Sequence, residues 1–282
     1  MLKTKAHVMM RFSTSFLLLP TTVAAWSTSA SSQSFCRIAP LYHTSRISCA
    51  GFSTTSTSSN SVAVRVLGVC GGIGSGKSFV CQTLVNELGC WAHLEADVIA
   101  HKVYEPNSQA VQEIVQEFGS HVLTENGHVD RKQLGEIVFS SPEQMSKLEC
   151  IVWPYVKNEI RKLVDSYREQ IVPENKFPVL VLEAAVLIDA GWDDMLDGLW
   201  VVRASEDQAL ERLQTQRGLT AADAKTRIEA QKVRRGIGNL QQEVDAGVVS
   251  CVIRNSASAD ELKAQLAKAL KNSSCWYSSP PT

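Results

Sequence analysis

The chain contains 282 residues, of which 44% are hydrophobic and 20% are charged, and its formal net charge is −1 at pH 7. The hydrophobic fraction is ample for a sizeable core in one large domain or two small ones. The near-neutral charge, without a basic stripe or interleaved aromatic residues, excludes an extended nucleic-acid surface. The eight cysteines show no CxxC pair or metal-ligand spacing, so we expect them to be ordinary thiols in a reducing compartment.

The first 62 residues have the composition of a targeting presequence. Residues 1–86 hold seven of the 28 Lys and Arg residues and none of the 29 Asp and Glu residues, and the first sixty are rich in Ser and Thr. Basic residues before the apolar run at 16–19 also fit a short secretory signal or the front half of a two-part plastid address, and a disordered tail without an address is the third alternative. The run is too short to span a membrane. We expect an organellar protein, mitochondrial or plastid, with a cytoplasmic location as the alternative.

A complete P-loop pattern, G-x-x-x-x-G-K-[ST], follows at residues 71–78 and reads GGIGSGKS. The strand-like run at 66–70 precedes it and apolar residues at helical spacing follow it, so the setting is strand, loop, helix. In such a loop the backbone N–H groups and the helix N-terminus bind phosphate, Lys77 reaches the β- and γ-phosphates, and the Ser78 hydroxyl can ligate Mg²⁺. The predicted ATP contacts are Gly72, Ile73, Gly74, Ser75, Gly76, Lys77, Ser78 and Phe79.

Strand-like and helix-like segments alternate along the rest of the chain. The patterns predict a strand at 90–94, helices at 111–118, 134–138 (capped by Asp130) and 156–167, strands at 178–183 and 199–202, a charged helical stretch at 205–243, a strand at 248–253 and a helix at 260–271. This order predicts an α/β, three-layer P-loop NTPase fold with a parallel five-stranded sheet, whose ligands bind beyond the carboxyl ends of the strands. We expect a catalytic domain at 63–272, with a helical insertion at about 105–170 and a lid at about 205–240, before a disordered tail at 273–282.

Two carboxylates end predicted strands and are candidates for phosphoryl-transfer chemistry. Asp97 closes the second strand, so it is expected on the same sheet edge as the P-loop, where a carboxylate can face the acceptor hydroxyl. Its alternative role is to cap a helix beginning at Val98, and the two roles can coexist. Glu183 follows the apolar third strand at the position of a Walker B acid, which holds the Mg²⁺ shell through water; the alternative is a surface carboxylate.

The stretch after the fourth strand is rich in arginine. Such helices are often solvated faces, but in a small-molecule kinase they commonly form a lid that supplies cations and excludes water. Arg217, beside Gly218 at a helix junction, is the best candidate for a catalytic cation. The full set is Arg203, Arg212, Arg217, Arg227, Arg234 and Arg235.

Taken together, these motifs resemble the dephospho-CoA kinase family over about residues 65–270. The family pairs the P-loop with D-A-D-x-I-A-R, F-G, a D-G-x-(L/I)-(D/N)-R-x-x-L segment, (H/W)-P and a strand ending in Glu. The corresponding segments here are 95–101 (EADVIAH), 118–119 (FG), 126–134 (NGHVDRKQL), 153–154 (WP) and 183–189 (EAAVLID). The chain departs from the bacterial-type motif at Phe79, Glu95, His101 and Trp153, and Trp153-Pro154 is similar to the kinase half of bifunctional CoA synthase.

The resemblance implies ATP-dependent phosphorylation of the ribose 3′-hydroxyl of dephospho-CoA, giving CoA and ADP. It implies that the helical insertion holds dephospho-CoA, that Asp97 accepts the hydroxyl proton, that Arg217 belongs to the lid and that the segment near Asn255 approaches the adenine. The residues alone predict a P-loop kinase of a small hydroxylated acceptor, and a nucleoside monophosphate kinase is the alternative. A monomer is compatible with the sequence.

Overall fold

The computed structural model describes residues 63–234, 244–256 and 258–277. The predicted presequence and the end of the predicted lid therefore lie outside the described residues. Within them, five parallel strands form one sheet in the order β2-β3-β1-β4-β5, which confirms the predicted α/β architecture. The strands are β1 (Arg65–Gly71), β2 (Cys90–Glu95), β3 (Phe177–Glu183), β4 (Gly198–Arg203) and β5 (Cys251–Arg254).

The described residues include eight helices, and six of them contribute to the cores on the two faces of the sheet. The eight helices are α1 (Lys77–Asn86), α2 (Ala96–Val103), α3 (Gln109–Phe118), α4 (Arg131–Ser140), α5 (Pro142–Arg168), α6 (Glu206–Arg217), α7 (Ala221–Arg234) and α8 (Ala259–Lys271). Because side chains alternate along a strand, β1 contributes Val66 to the core shared with α2–α5 and Leu67 and Val69 to the core shared with α1 and α8. The sheet is thus buried on both faces, as its nearly continuous apolar strands predict.

Local capping chemistry sets several helix starts. The Asp130 carboxylate accepts from the backbone N–H groups of Lys132 at 3.0 Å and Gln133 at 3.1 Å, which confirms its predicted role as the cap of α4. Ser205 begins α6 and Ser258 begins α8 with reciprocal capping boxes. None of the described helices is long and apolar enough to cross a membrane.

Four predicted boundaries are wrong. Helix α2 begins at Ala96, so Asp97 lies in its first turn and Glu95 is the cap. Helix α5 begins at Pro142 and runs through Pro154, because packing against α2, α3 and α4 outweighs the backbone bond lost at the internal proline. Strand β5 begins at Cys251 and not at residue 248. The reason is that the N–H of Leu199 donates to the Ser250 hydroxyl at 3.0 Å, whereas in a continued strand it would donate to a backbone carbonyl.

The fourth boundary concerns the predicted tail. Residues 273–275 form a short 3-10 turn, and Cys275 and Trp276 are buried against the sheet. The Trp200 indole N–H donates to the carbonyl of Cys275 at 2.8 Å. The folded domain therefore extends at least to residue 277, and burial of aromatic surface, which the polar composition of the segment concealed, is the physical reason.

Candidate active site

The P-loop joins the end of the central strand to the start of α1, and Gly74 and Gly76 within it have no room for side chains. Gly74 and Gly76 have φ angles of 73° and 87°, in the region that favours glycine. A Cβ atom on Gly76 would lie 2.2 Å from Asn255 Nδ2, and one on Gly74 would lie 2.8 Å from the carbonyl oxygen of Ala209. The loop is therefore shaped by neighbours on α6 and after β5 as well as by its own backbone.

Lys77 stands at the first position of α1 with its ammonium group turned back over the loop. Its Nζ donates to the carbonyls of Gly71 at 2.9 Å and Gly72 at 3.3 Å. Burial lowers the pKa of the Lys77 ammonium, while the nearby carboxylates of Glu183 and Asp97 act in the opposite direction. The side chain is thus held at the mouth of the cradle that the helix N-terminus forms for an anion.

Glu183 lies beside the loop because β3 pairs with β1 in a register that sets it opposite Val69. Its Oε1 accepts from the Ser78 hydroxyl at 2.7 Å, and its Oε2 lies 2.9 Å from His93 Nε2 on β2. Burial alone would raise the pKa of the Glu183 carboxyl, but the hydrogen bonds from His93 and Ser78 and the charge of Lys77 hold it below its usual value. The group is an oriented carboxylate.

The predicted catalytic residues meet in one cleft of about 680 Å³, counting the space open to solvent. Asp97 enters it from the first turn of α2, opposite the P-loop, and Arg217 enters it from the last residue of α6. The lining residues are Ile73, Gly74, Gly76, Lys77, Ser78, Asp97, Glu183, Ala184, Ala185, Arg212, Leu213, Gln216 and Arg217.

The remaining predicted nucleotide contacts lie next to this cleft rather than along its described lining. The Ser75 side chain is buried below the loop, and Phe79 is 45% exposed on α1. Asn255 is buried, and its Nδ2 donates to the Ser75 carbonyl at 2.8 Å, so it supports the loop from beneath. A contact between Asn255 and the adenine stays a prediction.

Two arginines of α6, Arg212 and Arg217, have different surroundings. Arg212 donates from Nη1 to the carbonyls of Gly74 at 3.3 Å and Ser75 at 3.1 Å, and from Nη2 to the carbonyl of Asn255 at 2.9 Å. Arg217 is exposed at the cleft, beside Gly218, which caps the helix in the left-handed conformation. Arg212 therefore fastens the loop, whereas Arg217 has its guanidinium available to a ligand.

Sequence reasoning missed two residues that contact this machinery. Gln231 on α7 is buried, and its side-chain oxygen accepts a hydrogen bond from the backbone N–H of Ile73 in the P-loop. His93 on β2 orients Glu183. Gln231 follows Ala224 and Ile228 at helical spacing, so a polar residue at an apolar position of α7 was the sequence signal for it. The contact between His93 and Glu183 depends on the pairing of β2 with β3, which the sequence does not show.

The arrangement of a P-loop on the central strand, a carboxylate across the cleft and an arginine on a covering helix defines a P-loop kinase. The family model described as dephospho-CoA kinase matches residues 65–261. The chain is 34% identical to the dephospho-CoA kinase of Symbiobacterium thermophilum over 203 residues, which cover 72% of this chain and 79% of that protein. It is 36% identical to the dephospho-CoA kinase domain-containing protein of Danio rerio over 205 residues, covering 71% and 82%.

A solved structure has a similar fold. The crystal structure of TT1252 from Thermus thermophilus superposes with a TM-score of 0.55 at 27% identity, and the match covers 73% of this chain and 96% of that one. The chain belongs to the dephospho-CoA kinase family, a family of phosphotransferases that acts in the last step of coenzyme A synthesis.

Proposed function

We propose that the chain transfers the γ-phosphate of ATP to the ribose 3′-hydroxyl of dephospho-CoA, giving CoA and ADP. Family membership supports the substrate pair. The observation that carries the mechanism is that Asp97, Lys77, Ser78 and Glu183 line the same cleft. An acceptor alcohol between Asp97 and the loop has a base on one side and the transferring phosphate on the other.

Asp97 accepts the proton of the acceptor hydroxyl. The O–H bond of the ribose breaks, its oxygen bonds to the γ-phosphorus, and the bridging P–O bond breaks to leave ADP. Asp97 suits this role because it lies in the first turn of α2, exposed to the cleft. A positioned general base typically contributes about 10²–10⁴-fold to the rate.

Cations on two elements stabilise the transferring phosphoryl group. Lys77 binds the β- and γ-phosphate oxygens from the loop side, a short movement from the carbonyls of Gly71 and Gly72 to which it donates. Arg217 approaches from the end of α6 and neutralises charge on the equatorial oxygens. Closure of α6 and α7 over the site also excludes water that would otherwise hydrolyse ATP.

The oxygen ligands of the site suit Mg²⁺. The Ser78 hydroxyl and the Glu183 carboxylate, 2.7 Å apart at the edge of the cleft, are hard donors of the kind this ion prefers, with Glu183 acting through water. When bound, Mg²⁺ neutralises phosphate charge. His93 keeps the Glu183 carboxylate turned towards Ser78.

The acceptor-binding insertion consists of α3, α4 and α5, next to α2. His101 replaces the arginine of the family motif on α2. Burial lowers the pKa of its imidazole, and the nearby Arg131 guanidinium lowers it further. We assign to Arg131 the cationic contact with dephospho-CoA phosphate groups that His101, when neutral, does not make.

Initial rates with a panel of acceptors test the proposed reaction. The purified full-length chain with ATP and Mg²⁺ is assayed with dephospho-CoA and, separately, with AMP, CMP, UMP and GMP, following ADP release and the phosphorylated product. We expect a kcat/KM for dephospho-CoA far above that for every nucleotide. Equal or better turnover of a nucleoside monophosphate would overturn the proposal in favour of a nucleoside monophosphate kinase.

Replacement of Asp97 tests the base. Asp97→Asn keeps the size of the side chain but removes the proton acceptor, so kcat should fall by about 10²–10⁴-fold while ATP binding, measured by calorimetry, stays the same. Asp207→Asn, an acid in the first turn of α6, is the matched control and should retain full activity. Unchanged kcat in Asp97→Asn would assign the proton to another acceptor.

The organellar address rests on composition alone. Residues 1–62 contain no Asp or Glu and are rich in Ser, Thr and basic residues, as transit peptides are. A fluorescent protein fused to residues 1–65 should enter mitochondria or plastids of a eukaryotic cell, and the compartment reached distinguishes the two. Diffuse cytosolic fluorescence would exclude a presequence.

A further inference from the structure

Two cysteines far from the catalytic cleft meet at the end of the sheet. Cys251 opens the edge strand β5, and Cys275 closes the short turn that follows α8. Their sulfur atoms lie 3.1 Å apart, although the residues are separated by 24 positions in sequence. A disulfide bond is about 2.05 Å long, so oxidation of the two thiols to a disulfide requires the sulfurs to approach by about 1 Å.

The main chain on both sides of the pair is firmly held. The Cys275 carbonyl accepts from the Trp200 indole N–H at 2.8 Å and from the Ser250 hydroxyl at 2.9 Å. Trp276 packs edge-on against Trp200 with ring centroids 6.1 Å apart, and the Arg65 guanidinium lies 3.7 Å above its ring. The sulfurs are therefore held near each other by contacts of the main chain and of Trp276 that do not involve the sulfur atoms.

We propose that Cys251 and Cys275 are a modification site that forms a reversible disulfide. Cys251, the less buried of the two, attacks a low-molecular-weight disulfide as its thiolate, forming a mixed disulfide and releasing one thiol. The Cys275 thiolate then attacks the sulfur of Cys251 and displaces the second thiol. The protein loses two protons and two electrons, and the oxidising disulfide is reduced to two thiols.

The bond would join the last strand to the C-terminal turn across α8. Closing this loop removes conformational freedom from the unfolded chain and so raises thermal stability. It also pins the strand that leads to Asn255, the residue beneath the P-loop carbonyl of Ser75. We expect a stability effect without loss of kinase activity, because neither sulfur lines the described cleft.

The pair should react slowly. Burial, together with the contact to Cys275, raises the pKa of the Cys251 thiol to about 12, so little thiolate is present at neutral pH. Once the first sulfur is oxidised, the neighbouring sulfur competes for it at very high effective concentration. Closure of the intramolecular bond should therefore prevail over accumulation of the mixed disulfide.

Mass spectrometry of the full-length chain tests the proposal. The reduced protein is incubated for hours with an excess of glutathione disulfide, and the remaining thiols are alkylated before peptide mapping. We expect loss of two hydrogens, a Cys251–Cys275 cross-linked peptide and full recovery of the starting mass with dithiothreitol. Cys150→Ser, which replaces an exposed cysteine on α5, should leave the cross-link intact.

Single variants complete the test. Cys251→Ser and Cys275→Ser should lose the cross-link, and oxidation should raise Tm by a few degrees in the natural sequence but in neither variant. The absence of a cross-link, a stable glutathione adduct at Cys251, or a cross-link to another cysteine would each overturn the proposal. Kinase activity has no part in this readout, so its outcome is independent of the proposed reaction.

Discussion

The P-loop and the helix pair α6–α7 both bring positive charge to the cleft, but they are built in different ways. The loop belongs to the central strand, and its Lys77 is held by carbonyls only five and six residues away. The helix pair reaches the loop through long-range contacts, namely Arg212 on the carbonyls of Gly74 and Ser75 and Gln231 on the N–H of Ile73. A phosphate cradle can thus be read from contiguous sequence, whereas the surface that closes it depends on distant side chains.

The helix pair also packs on the loop through a small apolar cluster of its own. Ala209 and Leu213 of α6 meet Ala224 and Ile228 of α7, and Ile73 of the loop packs against them. This cluster is separate from the two large cores on the faces of the sheet. Among the described residues, few buried apolar contacts join the helix pair to the rest of the domain, which is the condition that permits an element to open and close.

The largest effect is expected at the contact between the two regions. Gly76→Ala introduces a Cβ 2.2 Å from Asn255 Nδ2 at a φ of 87°, so the loop must shift and kcat/KM should fall by about 10²-fold or more. Gly127→Ala is the matched control: its φ is 75°, but no atom lies within 4 Å of the added carbon. It should cost about 1–2 kcal/mol of stability and leave kcat unchanged. Equal activities of the two variants would show that the close approach to Asn255 does not shape the loop.

The next largest effect separates the two arginines of α6. Arg217→Ala should lower kcat by about 10- to 100-fold with little change in stability, because Arg217 acts on the transferring phosphate. Arg212→Ala should instead lower the free energy of unfolding by about 2 kcal/mol, because three carbonyls lose a charged donor. Steady-state kinetics and urea unfolding of both variants measure the contrast. The same kinetic and stability profile in both would remove the distinction.

Gln231 tests how the helix pair is fastened. Gln231→Leu keeps the bulk of the side chain but removes the acceptor for the Ile73 N–H. The helix pair α6–α7 should then separate from the P-loop more often. KM for ATP should rise several-fold, which corresponds to a loss of about 1 kcal/mol of binding free energy. Lys225→Ala, an exposed change on the same helix, is the control. Limited proteolysis between α6 and α7 should accelerate in Gln231→Leu alone. An unchanged cleavage rate would mean that the apolar cluster suffices to hold the pair.

The smallest effect is expected at His93, on the side of the loop away from the helix pair. His93→Leu removes one hydrogen bond from Glu183, and kcat should fall by a few-fold because the carboxylate keeps its bond with Ser78. His93→Gln retains a donor and should restore most of the activity. The apparent affinity for Mg²⁺, measured by titration of the rate, should weaken in His93→Leu and recover in His93→Gln. If neither variant differs from the natural protein, His93 does not position Glu183.

Much of this site could be predicted from the sequence. The P-loop, the parallel five-stranded sheet and the strand-ending position of Glu183 follow from contiguous patterns, since burial on both faces of a parallel sheet demands apolar runs. Asp97 was placed on the correct sheet edge, although it belongs to the first turn of α2 and not to a cap. The predicted boundaries of α5, β5 and the C-terminal tail are wrong for one reason, which is that contacts with residues distant in sequence decided them. Helix packing carries α5 through Pro154, the contact with Leu199 ends the pairing of β5 at Ser250, and the contact with Trp200 folds the polar tail.

The sequence by itself determined that this chain has a triphosphate cradle on a parallel sheet, because the glycines, the lysine and the flanking apolar runs are neighbours along the chain. Only the tertiary structure decided that Arg212 fastens the loop, that Gln231 reaches Ile73, and that Cys251 meets Cys275. Each of those pairs joins residues from separate elements. Their contacts arise when the sheet and its helices pack together, a step that leaves no periodic trace in the order of residues.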